Sequence, residues 1–191
     1  VSGFCQAQNI LTDTVYKKGI YKTFEEFKTN SPSIELKYPV TSYTSKLTMD
    51  DWTSYRLDIS KEESEAIGPV YGFCNGYSIY VAPKPREIYK LLFEQVLYVG
   101  QYSFFQDQEG SELQLVIANG GIGVGTGGPK PIVDKIINME TGEIIMLTNG
   151  EMKKLLSDNP TLLAEFKKDS KKEFRRMKYL KRYLGAKAAK Q

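Results

Sequence analysis

Among the side chains that carry out chemistry in proteins, histidine is missing altogether: none occurs in the 191 residues. That absence removes Ser-His-Asp and Cys-His nucleophile pairs and every imidazole-ligated zinc or iron site. Cys5 and Cys74 are the two cysteines, half of what an all-thiolate zinc site requires. Carboxylates gather as Glu25/Glu26, Asp50/Asp51 and Asp107/Glu109/Glu112. A glycosidase needs two carboxyls about 5 to 10 Å apart across a cleft, and no spacing along a chain establishes that distance. Solvated turn residues account better for these acids. Asp107-Gln108-Glu109-Gly110 is too short and wrongly spaced for an EF-hand loop. No cofactor or metal is expected from these residues.

Asn119 to Gly128 is glycine-rich and tempts a phosphate-loop reading. Such a loop needs a lysine and a hydroxyl residue opening a helix, so that amides and ammonium converge on phosphate. Here Pro129 and Pro131 bracket Lys130 and a strand follows. The dinucleotide pattern equally lacks its downstream helix. A mobile surface loop, able to cover a cleft, is the better account.

Positive charge is the remaining chemical signal. The net charge is +3, yet Pro160 to Gln191 alone carries 11 Lys or Arg against 3 acids. Lys168, Lys171, Lys172, Arg175, Arg176, Lys178 and Arg182 form a candidate polyanion-binding face, extended by Lys167 and Lys181. Counterion release would give such a face affinity for polyanions. Asp169 and Glu173 interrupt it, and the alternative is the solvated side of a docked helix.

The elements that must position these groups follow from periodicity and caps. A chain of this length suits one domain, or one domain with an appended helical segment. Thr23 with Glu26 opens a short helix through Lys28. Ile34 to Tyr43, holding Pro39, reads as an edge strand, and Asp50 to Ile59 adds another strand. Ser60 to Ala66 reads as a turn or a single helical turn. Asn75-Gly76 between aromatic and β-branched runs predicts a hairpin with a two-residue type I′ turn, placing Tyr77, Ile79 and Val81 on one face. Ile88 to Phe105 also fits a helical stripe through Ile88, Leu92, Val96 and Val99. Strands are preferred, with Val96, Tyr98, Tyr102 and Phe104 on one face and Leu113 to Ile117 returning alongside them.

Thr141-Gly142 marks a second hairpin, joining Ile132–Met139 to Glu143–Leu147. Asn149 is placed to cap a helix around Met152 to Leu156. Asn159-Pro160 starts another, whose apolar stripe runs through Leu163, Phe166, Phe174, Met177, Leu180 and Leu184 until Gly185 stops it. The expected core comprises Phe73, Ile79, Val81, Tyr98, Leu115, Ile117, Ile137, Ile145, Leu163 and Phe166. The fold class is α+β: an antiparallel meander or partly closed barrel with a short N-terminal helix and C-terminal helices.

Val1-Ser2-Gly3-Phe4-Cys5-Gln6-Ala7 reads as the tail of a signal peptide, with small residues at the two positions a signal peptidase inspects. The expected organisation is a remnant at 1–7, a mainly β domain at 8–148 and a helical segment at 149–191. If both cysteines persist after export, a bridge could add about 4 kcal/mol by chain entropy. If the chain is cut after Ala7, Cys74 stays single as a buried thiol.

Three pieces carry a resemblance: Gly19 to Phe27 with Asn30-Ser31-Pro32, the Gly72-Phe73-Cys74-Asn75-Gly76 hairpin leading to Ile79-Tyr80, and Asn138 to Glu143 ahead of Asn159-Pro160. In this order they resemble uncharacterised exported proteins of Bacteroidetes-type bacteria. The resemblance implies a periplasmic or secreted, surface-associated location and carries no functional residue with it. Together these readings point to a noncatalytic envelope component that binds or interacts, its partner an envelope protein, a glycan or an anionic lipid surface. Export argues against nucleic acid, and no apolar run reaches the roughly 20 residues of a membrane span. A carboxylate-dependent hydrolase acting on glycans is the alternative.

Overall fold

A computed structural model describes residues 15–45, 52–89, 91–108, 115–118, 121–124 and 131–188. Thr23 caps α1 (Phe24–Lys28) by accepting the Glu26 amide, as its spacing predicts. Before it runs the short strand β1 (Gly19–Tyr21). The chain then forms the hairpin β2 (Val40–Ser45) and β3 (Trp52–Leu57), followed by α2 (Lys61–Ile67). That helix is longer than the single turn expected. Ser60 and Glu63 cap each other's backbone reciprocally, a Ser-x-x-Glu signal present in the sequence.

The body of the fold is a meander of β4 (Pro69–Cys74), β5 (Ile79–Glu87), β6 (Glu94–Tyr98) and β7 (Tyr102–Gln108). The hairpin β8 (Leu115–Ala118) and β9 (Gly121–Val124) follows, then β10 (Ile132–Asn138) and β11 (Ile144–Met146). Seven strands make one antiparallel sheet in the order β1-β4-β5-β6-β7-β10-β11, curled into a half-barrel. With C-terminal helices α3 (Asn149–Leu155), α4 (Pro160–Lys168) and α5 (Arg176–Ala188) packed on it, the architecture is α+β.

Strand alternation sends side chains to two faces. On one, Tyr21, Ile79, Val81, Val96, Phe105 and Ile137 pack with Phe27 of α1. On the other, Ile20, Phe73 and Tyr80 lie among Leu57, Ile88 and Phe93. Phe73 stacks on Tyr80 with ring centroids 4.6 Å apart, and Phe93 meets Phe73 edge-on at 5.0 Å. Such pairs contribute roughly 0.5–1.5 kcal/mol each beyond burial. Further along this second face, Phe104 and Ile136 pack with Met152, Phe166, Leu180 and Leu184 of the C-terminal helices. A Cβ on Gly72 would stand 2.3 Å from the Tyr80 carbonyl oxygen, so glycine is required at this irregularity between β4 and β5.

Several expectations need correction. The hairpin at Asn75-Gly76 exists, but its connection has four residues, with Cys74 paired to Ile79. Gly76 has a positive φ of 97° and Asn75 does not; instead the Asn75 side chain accepts the amides of Tyr77 and Ser78 at 2.9 and 2.8 Å. Tyr77 therefore stands 91% exposed at the tip, apart from Ile79 and Val81. A register shift after Val96 sends that residue to the face opposite Tyr98 and Phe104. The partner of β7 is β10, whose seven residues pair along its whole length, and not the segment ending at Ile117.

Part of the glycine-rich stretch is strand rather than loop. Ala118 pairs with Gly121 and Leu115 with Val124. The rest of that stretch lies outside the described residues, as do Cys5 and the proposed cleavage point.

At the C-terminus, Thr148 rather than Asn149 caps α3. Asn159 caps α4 as expected, accepting the Leu162 amide at 3.2 Å. The single long helix does not form. It breaks at Asp169, passes through a 3-10 turn at Lys172–Phe174 and resumes as α5, which runs through Gly185. Phe174 is thereby 84% exposed instead of joining the stripe. Of the expected core, Phe73, Ile79, Val81, Ile137 and Phe166 are buried, while Tyr98, Ile145 and Leu163 are half-buried. The side chains of Leu115 and Ile117 lie outside the described residues.

Candidate functional site: the basic face of the C-terminal helices

The basic residues are held by two helices whose apolar sides are spent on the sheet. In α4, Leu162 and Phe166 are buried one turn apart. In α5, Tyr179, Leu180, Tyr183 and Leu184 are buried, a stripe two residues wide repeating every four. Phe166 meets Tyr179 edge-on at 5.1 Å and locks the pair. Lys167, Lys168, Lys171 and Lys178 are left facing solvent, with Lys172 half-buried.

Asp169 sets the shape of the connection between the helices. Its carboxylate accepts the Lys171 amide at 2.8 Å, the Tyr179 hydroxyl at 3.0 Å and the Arg175 guanidinium at 3.3 Å. The Lys171 amide first, then the Tyr179 and Arg175 contacts, hold the Asp169 carboxyl below its usual range. Tyr179 moves up in turn, chiefly by burial and next by its bond to Asp169.

Of the seven residues assigned to this face, three have other work. Arg176 turns inward, donating to Asp134 of β10 at 2.7 Å and to Asn149 at 3.2 Å. Gln106 donates to the other Asp134 oxygen at 2.9 Å, so a polar cluster pins the start of α5 to the sheet. Arg182 bonds Glu165 at 2.7 Å, and that contact leads the causes lowering the Glu165 carboxyl. Arg175 is paired with Asp169. Among the described residues, Lys168, Lys171, Lys172 and Lys178 have no ion-pair partner, nor does Lys167. Lys181 is committed elsewhere: its ammonium lies over the Tyr98 ring, 5.2 Å from the centroid.

Of the carboxylates considered for hydrolysis, Glu26 and Asp107 are occupied structurally, whereas Glu25 is exposed on α1. Glu26 accepts the Lys22 amide at 2.7 Å and the Ser33 hydroxyl at 3.0 Å. Asp107 is paired with Lys135 across β7 and β10. Asp50, Asp51, Glu109 and Glu112 lie outside the described residues. Sequence reasoning missed Glu94, a buried carboxylate that accepts the Ser54 hydroxyl at 2.8 Å. The signal was faint, since Leu91-Leu92-Phe93 before it mark only a buried strand start.

Cys74 is free and buried. Burial pushes its thiol up, against a smaller lowering by the Gly76 amide, which removes the thiolate character that reactive cysteines need. Among the described residues no three His, Cys, Asp or Glu side chains could jointly hold a metal ion, and no helix is long and apolar enough to cross a membrane.

No curated protein and no solved structure matches the chain. A family model does: the one described as Family of unknown function (DUF6563) matches residues 19–187. That match runs from β1 almost to the end of α5, and the chain belongs to this family.

Proposed function

We propose that the protein is a noncatalytic binding module of the cell envelope, periplasmic or secreted, that engages a polyanionic partner through its C-terminal helices. The observation that carries this reading is the set of lysines without ion-pair partners, Lys167, Lys168, Lys171, Lys172 and Lys178, on a scaffold whose arginines are internally paired. Lysines that form no ion pair retain charge that counterion release exploits, although Lys178 also feels the Glu165 carboxylate. Lys171 and Lys172 belong to the connection ordered by Asp169, so little chain entropy is lost when they dock. A surface glycan or an anionic lipid fits an exported protein better than nucleic acid does.

The hydrolase alternative gains no support from Glu26 or Asp107, whose carboxylates are already bonded. The test is retention on a heparin column across a salt gradient. The wild type is expected to elute late, and a Lys168→Gln/Lys171→Gln/Lys178→Gln variant early with an unchanged melting temperature. Equal elution, or turnover of any glycan in a panel, would overturn the reading.

A further inference from the structure

Phe174 is the most exposed aromatic of the C-terminal helices, 84% accessible, and it is not on a loose segment. Its amide donates to the Lys171 carbonyl at 3.1 Å, and the Arg175 amide donates to the Lys172 carbonyl at 3.1 Å. Asp169 fixes the same turn from inside. The ring is therefore displayed on an ordered turn at the junction of α4 and α5. Lys171 and Lys172 precede it and Arg175 follows; Lys167 and Lys168 end one helix and Lys178 lies in the first turn of the next. The acids here are Asp169 and Glu165, engaged by Arg175 and Arg182, and the exposed Glu173.

From this juxtaposition we infer that the turn is a membrane-surface anchor: Phe174 inserts into the interface of an anionic lipid bilayer while the surrounding lysines meet its phosphates. The inference rests on the polyanion reading above and narrows it to one partner. A soluble polyanion would use the lysines and leave the ring in water. A bilayer uses both at once, because its headgroup layer is charged and the layer beneath is apolar. Basic residues beside an aromatic are the pattern of interfacial binding, and charge plus a shallow apolar contact gives reversible attachment rather than insertion across the bilayer.

The test uses the full chain and unilamellar vesicles of phosphatidylcholine with or without phosphatidylglycerol, read by co-sedimentation at low and physiological salt. Binding is expected only with phosphatidylglycerol. Each of Lys171→Gln and Lys172→Gln should lower partitioning about fivefold, and Phe174→Ser about tenfold. The Phe174→Ser protein should elute unchanged from heparin. In a Phe174→Trp variant, emission should shift to the blue on binding and be quenched by brominated lipid, beyond the Trp52 signal of the wild type. Vesicle binding that depends on Phe174, together with heparin retention of the wild type, supports the inference; without heparin retention the polyanion reading falls and the inference with it. Heparin retention without vesicle binding, or vesicle binding indifferent to Phe174→Ser, overturns the inference and leaves the polyanion reading standing. Binding to neither overturns both.

Discussion

Tyr71 carries its hydroxyl into the face of the sheet covered by α1, with its ring 5.2 Å from that of Phe27 and 5.6 Å from that of Phe24. The oxygen is buried without a hydrogen-bond partner among the described residues, and burial drives the phenol far above its ordinary range. A buried polar atom left unsatisfied costs about 1–3 kcal/mol. Tyr71→Phe should therefore stabilise the protein by about 1 kcal/mol or more in urea denaturation; a loss of stability would reveal a partner for that oxygen. Asn30 shows the opposite arrangement. Its side-chain oxygen accepts the Lys17 amide at 2.9 Å and the Tyr21 hydroxyl at 3.1 Å, and its amide donates to the Val15 carbonyl at 3.0 Å. It holds the chain ahead of β1 while sitting at φ 49°, a left-handed conformation that asparagine tolerates better than most residues.

At the scale of elements, the decisive contact is the one between α5 and β10. Arg176 and Asp134 are both mostly buried, and Asn149 and Gln106 complete their bonding. Removing either partner strands the other in a poorly solvated site. Arg176→Ala and Asp134→Ala should each cost about 2–3 kcal/mol, and the double variant much less than their sum. Additive costs in the thermodynamic cycle would show that the pair does not couple. This contact was not legible in the sequence, where Arg176 is one more basic residue in a basic run. Local signals fared better: Thr23, Asn159, Asn75-Gly76 and Thr141-Gly142 all sit at element ends, because caps and tight turns are decided by a few neighbouring residues. Pairings across long separations were misjudged. The choice of β10 over the Leu113–Ile117 segment as partner of β7 depends on the match of seven positions in space. Phe174 was misread because its spacing from Phe166 fits a helix only if the helix continues, and Asp169 instead turns its side chain onto the Lys171 amide.

For the whole molecule, the lack of histidine shapes the response to pH. No imidazole titrates, so stability should stay flat between about pH 5 and 8. Tyr183 is pushed up to about 12, first by burial and next by its bond to Asp158. Its folded value exceeds the unfolded value of 10.0, so the stability it confers is intact below that pH and disappears as pH climbs through the folded value. Asp169 and Glu165 are shifted downward, so their contribution is present above the ordinary carboxylate range and fades as pH falls below it. Thermal melts across the pH scale should show a broad plateau with two flanks. A step near neutrality would contradict this assignment.

The position of β1 has a kinetic consequence. It closes the edge of the sheet by pairing Gly19 with Cys74 across more than fifty residues, whereas β4 to β7 are joined by short connections. Loop-closure entropy delays such a distant partner until the meander has condensed. Ile20→Val at this fully buried site should cost about 1 kcal/mol, and stopped-flow chevrons should place the loss almost wholly on the unfolding limb. Val81→Ala, within the meander, should slow refolding instead. Equal slowing of refolding by both variants would mean that the edge strand is already in place at the transition state.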